Sequence, residues 1–261
     1  MDVAIGDEQK NRLAQRLAMT SQDRSDSGQL LEQTARAFAL EVGSGDQLEA
    51  LVHAFETERV IVPIRVEEDP RITGVHAGEN GHDPTGFLRV DTAVGPAIAV
   101  FSSARALAAY DPQARPMGLK FVRVALVALV ESAGRVLVDP GSRNILLPRA
   151  ATSALAQGDH WLPAWRDEDL RAGLLEQAHA TCEAISDLRV EYIGQGVCRI
   201  VVGIDSGSAI NIERAALREM VQRAIELMNT SERLRAAADR VEWVPQWING
   251  IKDGIVASTC E

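Results

Sequence analysis

The order of strand and helix patterns limits the fold of this chain more than any other feature of its sequence. Strand-like runs, rich in β-branched residues or bounded by turn residues, lie at 60–66, 87–91, 97–101, 135–138, 189–193, 197–204 and near Val241. Helical segments are predicted within 8–55, 102–110, 119–132, 167–184 and 212–228. Because the two patterns do not alternate regularly, they predict α+β domains with mixed or antiparallel sheets and flanking helices.

Several single residues predict where these elements begin or bend. Asp46 is the expected N-cap of a helix in the N-terminal region, and Ser102 or Ser103 is the expected N-cap of the next short helix. Pro63 in the first strand indicates an edge position or a bulge, since proline has no N–H to give to a ladder. Gly95-Pro96 is the predicted turn between the second and third strands.

The segment QGDHWLPAW at 157–165 predicts a linker between two domains. The chain then divides into a helical N-terminal extension at 1–45, an α+β domain at 46–156, a second α+β domain at 166–247 and a C-terminal tail at 248–261. With 46% hydrophobic residues among 261, the chain has enough apolar material for one large or two modest cores.

Charge and targeting signals restrict the partners and the compartment. Lys and Arg number 27 against 37 Asp and Glu, and the net charge of -10 disfavours non-specific nucleic-acid binding. The longest apolar run, Val124–Val130, is much shorter than the about 20 residues that span a bilayer. No secretory signal is recognisable at the N-terminus, and Cys182, Cys198 and Cys260 lack CxxC spacing. We therefore expect a cytoplasmic protein with no membrane or nucleic-acid partner.

Three segments in a fixed order carry a resemblance to a known family. They are Val60-Ile61-Val62-Pro63-Ile64, then Ala97-Ile98-Ala99-Val100-Phe101-Ser102-Ser103 leading into a helix, then Val138-Asp139-Pro140-Gly141-Ser142. Over roughly residues 45–150 this arrangement resembles the SseB (enhanced serine sensitivity) family, and residues 166–245 are similar to the family's second domain. Asp139 stands where that family usually has Asn, and the polar insertion at 67–86 is long.

The resemblance implies a cytoplasmic bacterial protein of two α+β domains that is not an enzyme. It supplies no catalytic residues and no cofactor to carry over to this chain. We accordingly expect no catalytic, cofactor or metal site.

One cluster contains residue types that bind metals. His76, Glu79, His82 and Asp83 are ligands that zinc and other transition metals prefer. Their segment HAGENGHD has two glycines and no helical HExxH register, so nothing holds the ligands in place before a metal arrives. A mobile loop without metal is the favoured interpretation.

Other polar residues resemble known sites only in part. Asp205-Ser206-Gly207-Ser208 lies between a strand and a helix, as phosphate-binding turns do, but it lacks the Walker lysine and the GxGxxG glycines. Ser102 and Ser103 follow a strand, as a nucleophile would, without the glycines of G-x-S-x-G. A plain turn and helix capping account for these residues. Cys182 and Cys198 are interpreted as small core residues.

All four tryptophans fall in two copies of one pattern, Trp161-Leu162-Pro163-Ala164-Trp165 and Trp243-Val244-Pro245-Gln246-Trp247, which bracket the second domain. In one interpretation, each copy is an extended arm whose indoles cover an apolar patch of the same chain. In the other, Trp161, Trp165, Trp243 and Trp247 form an interface, because tryptophan is enriched at binding hot spots and proline reduces the cost of ordering.

These observations lead to a non-enzymatic cytoplasmic protein that acts through protein–protein contacts near the tryptophan arms. The expected partner is a second copy of the chain or another protein. The alternative is a protein that binds or senses a small molecule of the amino-acid type, since clefts between domains often hold ligands. A hydrolase or metal enzyme ranks third.

Overall fold

The computed structural model of the protein describes residues 26–64 and 86–248. The chain forms two compact units, and the boundary between Trp161 and Leu162 lies within the predicted linker. Each unit combines helices with sheets that contain antiparallel strands, so the predicted α+β class is confirmed. Within the described ranges, no helix is both long and apolar enough to cross a lipid bilayer.

The N-terminal unit contains helices packed against two small sheets. Its helices are α1 (Glu32–Phe38), α2 (Gly45–Thr57), α3 (Ala104–Tyr110), α4 (Phe121–Glu131) and α5 (Arg149–Gln157). Its strands are β1 (Arg59–Ile64), β2 (Arg89–Thr92), β3 (Gly95–Val100), β4 (Arg115–Lys120), β5 (Val136–Val138) and β6 (Ile145–Leu147). Apolar residues on one face of α2 explain its place in the core: Leu48, Leu51 and Phe55 are buried, and Phe55 stacks on Phe121 at 4.8 Å between ring centroids.

The sheets of this unit combine antiparallel and parallel pairing. β1 and β4 form an antiparallel pair, while the second sheet has the order β2-β3-β5-β6, in which β3 and β5 are parallel. A bridge joins the two sheets: the Ile61 N–H donates to the Phe101 carbonyl at 2.8 Å, and the Phe101 N–H donates to the Ile61 carbonyl at 2.7 Å. Pro63 lies opposite Pro116 near the end of the β1–β4 ladder, where neither residue has an N–H to donate.

Three local predictions in this unit are wrong. Ser44, not Asp46, caps α2: its hydroxyl accepts a backbone N–H at 3.1 Å, and Asp46 lies in the first turn. Residues 119 and 120 belong to β4 instead of the following helix, because they pair with the first residues of β1. Gly95 and Pro96 begin β3, and Ala93-Val94 form the turn of that hairpin.

The carboxylate of Asp139 connects the carboxyl ends of the parallel strands β3 and β5. Asp139 is fully buried and accepts hydrogen bonds from the Ser102 N–H at 2.7 Å and from the Ser102 hydroxyl at 2.8 Å. Arg143 donates to the same carboxylate at 3.3 Å and lies 4.0 Å from the ring centroid of Phe38. Asp139 has a φ of 51°, a left-handed conformation that Asp and Asn tolerate better than most residues. The predicted turn at this position therefore also anchors the chain that follows β3.

We predict that Asp139→Ala lowers the free energy of unfolding by about 2–3 kcal/mol, because the buried Ser102 N–H loses its acceptor and alanine is strained at this φ. Asp139→Asn keeps an acceptor and suits the left-handed conformation, so its expected loss is below about 1 kcal/mol. Urea denaturation followed by circular dichroism measures both values. Equal losses in the two variants would contradict the anchoring role.

The C-terminal unit is a three-stranded sheet with helices on one face. Its elements, in chain order, are α6 (Glu168–Thr181), β7 (Ile185–Tyr192), β8 (Val197–Asp205), α7 (Arg214–Asn229), α8 (Glu232–Ala237) and β9 (Arg240–Ile248). β7 and β8 form an antiparallel hairpin, and β9 lies parallel to β8. The helix α8 is an addition to the elements that the sequence predicts.

Alternation along the strands separates an apolar face of this sheet from a polar one. Ile200 and Val202 of β8 are buried in a core to which α6 contributes Leu174 and α7 contributes Val221. Arg199 points to the opposite face and forms a 3.3 Å ion pair with Glu242 of β9. The helices therefore cover the side of the sheet that carries the apolar residues.

An ion pair between Asp167 and Arg233 closes the end of this core. Asp167 caps α6 by accepting the Leu170 N–H at 2.9 Å, and its two carboxylate oxygens accept from Arg233 at 2.9 and 2.6 Å. Burial opposes ionisation of this carboxyl, but the hydrogen bonds from Arg233 and the backbone outweigh it and hold the pKa of Asp167 below its usual value. The pair joins α6 to α8 across the unit.

The Asp167 pair is expected to make stability depend on pH. The unfolded pKa of Asp is about 3.9, so the contribution of a carboxyl with a lower folded pKa is present above that value and is lost as pH falls through the folded pKa. We expect Asp167→Asn to lower the free energy of unfolding by about 1 kcal/mol at pH 7, since Arg233 is half-exposed and partly screened, and to match the wild type near pH 2.

Urea denaturation across this pH range measures the difference, with Glu176→Gln, an exposed carboxylate farther along α6, as the control. A loss of equal size at every pH would contradict the assignment.

Candidate functional site

The two W-x-P-x-W copies adopt different structures. Trp161 is half-buried at the end of the N-terminal unit. Trp165 lies in a turn before α6, half-buried against Tyr192 with 5.0 Å between ring centroids. Trp243 and Trp247 belong to β9, which pairs with β8 along its whole length. The second copy is therefore an ordered strand of the sheet and not a separate arm.

Within β9, one indole is half-buried and the other is exposed. Trp243 packs against the core of the unit, and its Nε1–H donates to the Asn229 Oδ1 at the end of α7, at 3.0 Å. Trp247 follows four residues later on the same face of the strand and is 53% exposed. Pro245 lies between them and is also exposed. Of the four predicted interface residues, Trp247 offers the largest accessible indole surface.

A groove of about 510 Å³ lies between α7 and β9, beside Trp247. Leu217, Val221 and Ile225 recur every fourth residue on α7 and form an apolar floor. Trp247 and Ile204 from the sheet line the other side. We call this surface, completed by Pro245, Gln246 and the polar residues of α7, the α7–β9 groove.

The margin of the α7–β9 groove is positively charged. Arg214 and Arg218 are exposed, lie one helical turn apart, and are followed on the same face of α7 by Gln222. Neither guanidinium has an ion-pair or hydrogen-bond partner within the part of the chain that the structure describes. The described residues that line the groove include no carboxylate, although the whole chain has a net charge of -10.

The outer edge of β9 is a poor template for another strand. The Ser206 N–H donates to the Ile248 carbonyl at 3.3 Å, so Ile248 faces β8. Because backbone groups alternate in direction along a strand, Trp247, Pro245 and Trp243 direct theirs to the outer edge. Pro245 has no N–H there, which interrupts the row of donors that an added strand would need. A partner at this edge would therefore be held by side chains in the groove.

The structure explains the polar turn after β8 without a ligand. The Asp205 carboxylate accepts hydrogen bonds from the Ser208 N–H at 2.9 Å, the Ser208 hydroxyl at 2.7 Å and the Gly207 N–H at 3.3 Å. These bonds, those from Ser208 first, lower the pKa of Asp205. The amides that a phosphate would use already bind a carboxylate of the same turn.

The remaining candidate residues within the described ranges have structural roles. Ser102 is buried and donates to Asp139, and the Ser103 hydroxyl accepts the Ala106 N–H at 3.1 Å as the N-cap of α3. Cys182 and Cys198 are buried in the C-terminal core, and burial raises the pKa of Cys198 to about 12, so its thiol stays protonated.

Two groups of predicted residues lie outside the described ranges. They are the cluster His76, Glu79, His82 and Asp83, and Cys260. Among the described residues, no three His, Cys, Asp or Glu side chains are placed to bind a metal ion.

Sequence reasoning missed a cleft of about 450 Å³ in the N-terminal unit. Glu56 of α2 lies between two imidazoles, 3.2 Å from the His53 Nδ1 and 3.0 Å from the His160 Nδ1. Lys120 and Glu58 also line the cleft, above an apolar floor that includes Phe121. The i, i+3 spacing of His53 and Glu56 was visible in the sequence, but the arrival of His160 after α5 was not.

Comparison with known proteins assigns a family to this chain. A family model described as the SseB protein N-terminal domain matches residues 31–163, about half of the 261 residues. The match includes all three segments that suggested this resemblance. No curated protein and no solved structure matches the chain.

Proposed function

The chain belongs to the SseB family, and we propose that it is a non-enzymatic cytoplasmic member that acts through protein–protein contacts, with the α7–β9 groove as its binding surface. The observation that carries this proposal is the 53% exposed indole of Trp247 beside an apolar floor. Tryptophan contributes a large share of binding energy where a partner covers it in a pocket.

The construction of the groove supports side-chain recognition of a partner. Its volume lies within the roughly 300–1,000 Å³ of typical ligand pockets, which is also enough for a short row of apolar side chains. Trp247 belongs to a strand that pairs with β8 along its length, and Pro245 stiffens the backbone beside it. A surface that is ordered before binding loses little conformational entropy when the partner arrives.

The test is a selection of peptides from a displayed random library on the full chain. We expect enriched peptides to bind the wild type, and to bind Trp247→Ala at least about tenfold more weakly, because the indole wall of the groove is gone. Ile210→Ala is the matched control, since Ile210 is 79% exposed in the same unit but does not line the groove. Failure to enrich any peptide that distinguishes Trp247→Ala from Ile210→Ala would refute the proposal.

A second candidate function, the binding of an amino-acid-type small molecule, is favoured by the N-terminal cleft. Glu56 places a carboxylate along it, and Lys120 places an ammonium group there, over an apolar floor that includes Phe121. A cleft with both signs of charge suits a zwitterion, because each end of the ligand meets an opposite charge.

A thermal-shift screen of the amino acids tests this second function. A ligand at 100-fold over its Kd adds about 2.7 kcal/mol to stability, and we expect Glu56→Gln to abolish the resulting rise in Tm. Glu176→Gln, an exposed change in the other unit, should leave the rise intact. If no amino acid raises Tm, this function is wrong, and the groove proposal is unaffected.

A further inference from the structure

We infer that the partner of the α7–β9 groove is an acidic amphipathic helix. This inference rests on the proposed function and adds the chemistry of the occupant. It follows from the spacing of the apolar floor, from two arginines at the margin that have no ion-pair partner among the described residues and from the interrupted edge of β9.

The floor has the dimensions of one face of a helix. Ile225 lies eight positions after Leu217 on α7, a rise of about 12 Å at 1.5 Å per residue. Apolar side chains at positions i, i+3, i+4 and i+7 of a partner helix extend over about the same distance. The indole of Trp247 closes the groove on the sheet side, so the docked row would lie between this indole and the floor.

The margin selects the charge of the partner. Arg214 and Arg218 are about 6 Å apart along the α7 axis, the spacing of carboxylates at i and i+4 on a facing helix. Each guanidinium is free of a carboxylate within the described ranges, so a docked helix would supply the missing negative charges. Carboxylates beside the apolar row would be attracted to this margin, and lysines at the same positions would be repelled.

The edge of β9 favours a helix over an extended peptide. An extended peptide that adds to a sheet gains its affinity mainly from main-chain hydrogen bonds. Pro245 removes a donor in the middle of the outer edge of β9. A helix satisfies its own backbone groups and needs only the side-chain contacts that the groove provides.

The experiment uses two designed peptides of roughly 18 residues with the same leucine row, one with Glu and one with Lys on the flanks of that row. Fluorescence anisotropy with the full chain measures both affinities, and circular dichroism verifies equal helicity. We expect the Glu peptide to bind at least about tenfold more tightly than the Lys peptide, with a difference that shrinks as salt is added.

Charge reversal in the groove supplies the decisive comparison. The double variant Arg214→Glu, Arg218→Glu should reverse the preference, so that the Lys peptide binds more tightly. Arg223→Glu is the control, because Arg223 lies on the same helix outside the groove, paired with Glu219 at 2.9 Å. Thermal unfolding verifies that each variant is folded.

Four results would overturn the inference. Equal binding of the two peptides, or an unchanged preference in the double variant, would mean that charge does not select the partner. In either case, a loss of binding of both peptides in Trp247→Ala would still support the groove as a binding surface. Binding of neither peptide would reject this occupant and leave the library selection to decide the proposed function. A dimer in light scattering that Trp247→Ala converts to a monomer would identify a second copy as the occupant.

Discussion

Hydrogen bonds between the Asp139 carboxylate and Ser102 hold together two segments that end the parallel strands of the N-terminal unit. Parallel strands need a crossover connection, and here α3, β4 and α4 lie between the paired strands β3 and β5. Ser102 lies at the start of this crossover, and Asp139 directly follows β5, the strand to which the crossover leads. The buried carboxylate therefore links the two ends of the crossover connection. The adjacent Phe101 bridges to Ile61, and the β1–β4 pair therefore depends on the same junction.

In the C-terminal unit, the position of β9 at the edge of the sheet creates the groove. The apolar face of β8 lies beneath the helices, whereas β9 extends that face beside α7. Trp243 reaches the end of α7 and bonds to Asn229, but none of the helices that the structure describes buries the indole of Trp247. Two tryptophans on one face of one strand thus differ in exposure because α7 covers only part of that face.

Only part of the candidate site could be predicted from the sequence. The repeated W-x-P-x-W pattern directed attention to Trp247, because all four tryptophans of the chain fall in its two copies. Arg214 and Arg218 carried no such signal, since arginines at helical spacing are ordinary on an exposed helix face. Their importance arises from α7 and β9 lying side by side, which places these arginines next to an indole that follows them distantly in the chain.

Local patterns in the sequence determined the α+β class, most of the helices and strands, a serine cap at 102 or 103 and the turn at Asp139. These features depend on periodicity and on hydrogen bonds between near neighbours. Only the tertiary structure decided that 115–120 is a strand, that β6 and α5 follow the turn, and that the second tryptophan pair lies in an edge strand. Pairing and burial depend on contacts between residues distant in the chain, so the sequence pattern indicated the tryptophans while the fold selected the one that stays exposed.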